Sequence, residues 1–142
     1  MERPPLGRSL FVALFVTIAW GATSFAVAGL LAVLLDRDPV TTPAPPWAGL
    51  VGIALAGVVV WLAVALGARA PGPWIATVAA VAGVYLVVVA GALVASFALF
   101  AEQATSPFVI AGALLAGVAV VVTRAMLRRP PNAGLSGGAG PT

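Results

Sequence analysis

Four long apolar stretches, separated by short segments rich in proline and charge, dominate the chain. They run from Leu10 to Leu35, Trp47 to Ala68, Trp74 to Ala101 and Pro107 to Leu127. A helix rises about 1.5 Å per residue and needs ~20 residues to cross ~30 Å of hydrocarbon, a length all four reach. None alternates with the period of two of a barrel strand, and none has the charged face of an interfacial helix. Backbone amides left bare in lipid are costly, so spans this apolar must be helical. The pattern predicts an all-α membrane protein with four transmembrane helices in an antiparallel bundle.

The breaks set the connections. Asp36–Pro46 reads DRDPVTTPAPP, and its four prolines favour an extended loop. Arg69–Pro73 (RAPGP) is a tight turn that makes the second and third helices antiparallel neighbours. Glu102–Ser106 is another turn, with Ser106 placed to cap a fourth helix that opens on Pro107. The chain thus divides into an N-terminal segment 1–9, a transmembrane domain 10–127 and a tail 128–142 with too little apolar side chain to order itself. Although Ala26-Val27-Ala28 resembles a leader cleavage site, the first apolar run continues past it to Leu35. It is therefore predicted to be a retained helix.

Composition agrees with the pattern. The 142 residues are 62% hydrophobic and 8% charged, with a mean hydropathy of +1.15. Soluble domains are about 25% charged. The pI near 11.2 rests on a net charge of only +3, and membrane orientation accounts for it, so no nucleic-acid partner is implied. If the chain crosses four times, Arg3, Arg8, Arg69, Arg124, Arg128 and Arg129 share one side, and only Arg37 lies on the other with Asp36, Asp38 and Glu102. Short arginine-rich flanks stay inside, which predicts cytoplasmic termini and a multi-pass protein of the plasma (inner) membrane. Trp47 and Trp74 fall at opposite membrane–water boundaries, where indoles concentrate. Trp20 and Trp61 lie at similar predicted depth on neighbouring helices, and either pack together or face lipid.

The absence of cysteine and histidine removes thiolate chemistry, the commonest general base and the usual ligands of zinc and haem. No cofactor or metal is expected. Apart from Arg124 at the inner end of the fourth, the only ionisable residue within the spans is Tyr85, which argues against proton-coupled transport. Small multidrug transporters share the size but depend on a carboxylate in their first helix, where this chain has Thr17, Thr23 and Ser24.

Three groups stand out as candidate contact residues. Thr17, Gly21, Ser24 and Ala28 share one face of the first helix, and small faces let helices approach closely in lipid. Asp36, Asp38 and Glu102 could form an acidic outer patch for a cation or partner, although Glu102 also reads as a solvated turn residue. Arg124, Arg128 and Arg129 form an inner juxtamembrane cluster, a contact for anionic lipid or protein beyond its role in orientation.

The Arg-flanked start at Arg3 and Arg8, the four spans, the proline-rich outer loop and the Arg128–Pro131 motif (RRPP) together resemble a known group. They are similar to the small four-helix, Ala/Val/Gly-rich integral membrane proteins of unknown function from high-GC actinobacteria. That resemblance implies no catalytic residues and an accessory subunit of a larger membrane assembly. The reading is of a non-catalytic protein, not an enzyme, working through helix–helix or outer-loop contacts with other membrane subunits or with itself. The alternative is a small oligomeric pore or carrier, holin-like or transporter-like, lined by Thr77, Tyr85 and Ser96.

Overall fold

The computed structural model describes residues 6–67 and 72–128, and among these it holds five helices and no strand. They are α1 (Leu6–Leu35), α2 (Pro46–Gly67), α3 (Pro73–Ala95), α4 (Phe97–Ala104) and α5 (Pro107–Arg128). All but α4 are long and apolar enough to cross a membrane. Proline opens α2, α3 and α5, where the missing amide hydrogen breaks no helical bond and the fixed φ is already helical.

The four long helices form an up-down-up-down ring. α1 packs on α2 and α5, α2 on α3, and α3 on α5, while α2 and α5 meet across the diagonal. One end of the bundle carries the 36–45 loop and α4, and is called the loop end below. The opposite end carries the connection between α2 and α3. Side chains at the centre are small: Ala13, Ala80, Val60, Ala116 and Val120 are all fully buried. Large apolar side chains lie outside, with Leu50, Trp74, Val94 and Phe97 each about three-quarters exposed. Such an inside-out distribution suits a hydrocarbon solvent, since water would be driven from that surface.

The glycines explain how the helices approach. A Cβ added at Gly83 would stand 2.7 Å from Val59 Cγ1, at Gly117 2.7 Å from Val81 Cγ2, and at Gly67 2.9 Å from Ala76 Cβ. These three positions bring α2, α3 and α5 together from mid-bundle to the turn end, where any side chain would force the backbones apart.

The third apolar stretch departs from expectation. A single helix over 74–101 is predicted, but Ser96 is extended (φ −168°, ψ 152°) and divides it. Its N–H donates to Ala92 O at 2.9 Å, closing α3, and its Oγ accepts from Leu99 N–H at 3.1 Å, capping α4. The first bond is a backbone one, and serine suits the second role because its hydroxyl oxygen accepts an N–H that has no carbonyl partner in the first turn of α4. The helix also continues beyond Ala101, so Glu102 lies on α4 rather than in a turn. Ser106 takes the predicted position ahead of α5, and its carbonyl accepts from Ile110 N–H. The predicted tail over 128–142 lies outside the described residues from 129 onward, as do residues 1–5 of the N-terminal segment.

Candidate functional site: a latched loop over an apolar cavity

Glu102 is the centre of the polar structure at the loop end. One carboxylate oxygen accepts from Thr41 N–H at 2.7 Å and from the Thr41 hydroxyl at 2.8 Å, and the other accepts from Thr42 N–H at 2.9 Å. The Thr42 hydroxyl, then the Thr41 amide and hydroxyl, hold the carboxyl far below its ordinary range, at about 2, against a smaller opposing effect of burial. Hydrogen bonds to an ionised acceptor are short and favour the charged form. Gln103, itself buried, donates a longer bond of 3.4 Å to Pro39 O. α4 is in turn tied to α3, because the Tyr85 hydroxyl donates to Ala104 O at 2.8 Å. Helix break, α4 and loop therefore act as one unit, with Glu102 as the latch.

Beneath this unit lies a cavity of about 330 Å³. Trp20, Ala56 and Val84 form its floor, while Val40, Leu99 and Gln103 line its loop end. Five glycines from four helices line it: Gly21, Gly49, Gly52, Gly91 and Gly112. At each of them an added Cβ would meet nothing within 4 Å. In this half of the bundle glycine makes space, whereas Gly67, Gly83 and Gly117 bring backbones together.

The residues singled out in the sequence are distributed as follows. Of the first-helix stripe, Thr17 touches α2, its Cγ2 lying 3.7 Å from where a Gly57 Cβ would be, and its hydroxyl donates back to Ala13 O. Gly21, Ser24 and Ala28 line the cavity. The close helix contact expected at Gly21 is absent, because α1 and α2 touch at Thr17 and diverge towards the loop end. Ser24 Oγ is buried with no hydrogen-bond partner.

Asp36, Asp38 and Glu102 are not gathered into one site. Among the described residues no group of three His, Cys, Asp or Glu side chains could hold a metal ion. Asp36 has φ 47° and ends α1, with Arg37 N–H donating to Ala32 O at 3.1 Å across it. This is the six-to-one bond of a helix stop, in which aspartate tolerates the left-handed region better than most residues. Glu102, read as a solvated turn residue or a patch member, is instead committed to Thr41 and Thr42.

Arg124 is buried and its Nη1 donates to Gly72 O at 2.9 Å, fixing the start of α3 against α5. The side chain of Arg128 and the whole of Arg129 lie outside the described residues. Trp20 and Trp61 do not share a depth. Trp20 Nε1–H donates to Gly112 O on α5 at 3.0 Å, while Trp61 Nε1–H reaches Leu10 O at 3.4 Å. Leu10 is ten residues, or about 15 Å of helix, below Trp20. Of the proposed pore face, Ser96 is the helix break and Tyr85 holds α4, so both hydroxyls have structural partners.

Sequence reasoning missed the latch and the cavity. A cue for the latch was the pair Thr41–Thr42, since consecutive hydroxyl residues with free amides in a proline-rich loop are ready donors for a carboxylate.

No protein-family model, no curated protein and no solved structure matches the chain.

Proposed function

We propose that this chain is a non-catalytic, multi-pass protein of the plasma membrane, with both termini cytoplasmic, that serves as an accessory or assembly subunit. The observation that carries the reading is the outer face of α1. Phe11, Phe15 and Ile18 share one helical face and are each about 60% exposed, and Phe11 and Phe15 pack edge to face at 4.9 Å. α1 also buries the smallest share of its span among the four candidates, 11% against 39% for α5. Its aromatic ridge is a surface for a neighbouring membrane helix, since packing drives association in lipid. Glu102, Tyr85 and Arg124, the side chains with most chemical capacity, hold the fold together. The orientation rests on the arginines, which cluster at the turn end and the termini.

Purification in mild detergent tests the assignment. A stoichiometric partner is expected, retained by the wild type and lost from a Phe11→Ala/Phe15→Ala variant whose own unfolding is unchanged. Isolation of a homo-oligomer that conducts solute in liposomes would replace this reading with that of a pore or carrier.

A further inference from the structure

The glycine-lined cavity has a definite mouth. Its lining residues on α3 and α5 are buried or half-buried, whereas Phe25 of α1 and Ile53 of α2 line it and are also 64% and 47% exposed. The exposed part of the lining therefore includes a lateral stretch between α1 and α2, beside the loop residues Pro39, Val40 and Ala44, which also line the cavity and are exposed. The cavity wall continues onto the lipid-facing surface of both helices through apolar side chains alone. Its depth is also informative. From Gly49 to Ala56 on α2, or Trp20 to Ala28 on α1, is about 10–12 Å of helix, close to the ~15 Å of hydrocarbon in one leaflet. The floor at Trp20 lies near mid-span of α1, and the loop end is lined by Val40 and Gln103 beside the Glu102 latch.

We propose that this cavity is a lipid-tail site, which takes one acyl chain of a bilayer phospholipid sideways between α1 and α2. The proposal rests on the membrane reading of the four spans, and it is independent of any partner subunit. No charged side chain lines the walls, and a single unpaired hydroxyl, Ser24 Oγ, is too little to select a headgroup, so recognition is of the tail. Glycine at Gly21, Gly49, Gly52 and Gly91 leaves the width for a chain that larger residues would fill.

Trp20 is the natural reporter, since it lines the floor yet is only 8% exposed. A Trp47→Phe/Trp61→Phe/Trp74→Phe variant leaves it as the single indole. Reconstituted with phosphatidylcholine brominated near the tail methyl ends, this protein should show strong quenching of Trp20. Adding Gly52→Leu or Gly91→Leu should remove most of it, while melting in detergent is not lowered, because a Cβ at either position meets nothing within 4 Å and the rest of the side chain enters the cavity. A variant keeping Trp74 alone, 74% exposed, controls for insertion when the bromines are placed near the headgroup. Quenching of Trp20 that is weak in the parent, or equal in the filled variants, would overturn the site while leaving the membrane reading intact. Absence of quenching at Trp74 as well would overturn both. Quenching by a brominated free fatty acid but not by the phospholipid would refute the bilayer lipid as the occupant.

Discussion

Replacing glycine by alanine should have opposite effects in the two halves of the bundle. Alanine gains about 1 kcal/mol over glycine in a helix interior, and bilayer-enforced hydrogen bonding makes that an upper limit here. At Gly52 and Gly91 nothing lies within 4 Å of the new methyl, so Gly52→Ala and Gly91→Ala should be neutral or stabilising by up to ~1 kcal/mol. At Gly117 the methyl would stand 2.7 Å from Val81 Cγ2 and 3.4 Å from Thr77 Cγ2. Both neighbours are β-branched side chains with little freedom at χ1 on a helix, so the backbones must move. At Gly67 the obstacle is Ala76 Cβ, which cannot rotate away. Overpacking of this kind costs about 1–3 kcal/mol, so Gly117→Ala and Gly67→Ala should lose roughly 1–2 kcal/mol net. Gly21→Leu, damaging if that stripe were a close-packed interface, belongs with the tolerated set. Reversible unfolding in mixed micelles, followed by tryptophan fluorescence, measures the series. Equal shifts of the same sign for Gly52→Ala and Gly117→Ala would refute the division of the glycines.

Other consequences can be measured directly. The Glu102 carboxyl is held down to about 2, below its unfolded range, so the latch contributes stability above an ordinary carboxylate pKa and loses it as the pH falls through the folded value. Protection of the Thr41 and Thr42 amides from hydrogen exchange, corrected for intrinsic rates, should thus be level from neutral pH down to about 5. Glu102→Gln should lower it at every pH, and unchanged protection in that variant would exclude the latch. Asp36 sits in the left-handed region, so Asp36→Gly should be neutral or mildly stabilising and Asp36→Val should cost ~1–2 kcal/mol, read by the same micellar unfolding. For topology, cysteines introduced at Asp38 and Ser136 of this cysteine-free chain should differ in intact cells. An impermeant maleimide is expected to label the first only, and the reverse pattern would invert the arrangement.

Sequence alone determined the number of long helices and, apart from the break at Ser96, roughly where they run. An unbroken apolar run between proline-rich segments has one outcome in lipid, because unpaired backbone amides are not tolerated there. The start at Pro107 was legible for a similarly local reason, the fixed φ of proline, while Pro46 and Pro73, read as the last residues of the loop and the turn, open their helices one residue earlier than predicted. Tertiary structure decided what depends on two segments meeting. Thr41 and Glu102 are sixty-one residues apart, and only the fold brings a loop amide onto that carboxylate. Ser96 looked like one more weakly polar residue in an apolar helix, since a serine inside such a span is compatible with either continuation or a cap. The break becomes visible only where α4 lies across the loop end, held by Tyr85 and Glu102. The glycines make the same point most plainly. Gly52 and Gly83 are alike in sequence context, each on the small face of an apolar helix. Whether that missing side chain brings two helices into contact or opens a cavity is set by the distance to the facing helix, which no local pattern encodes.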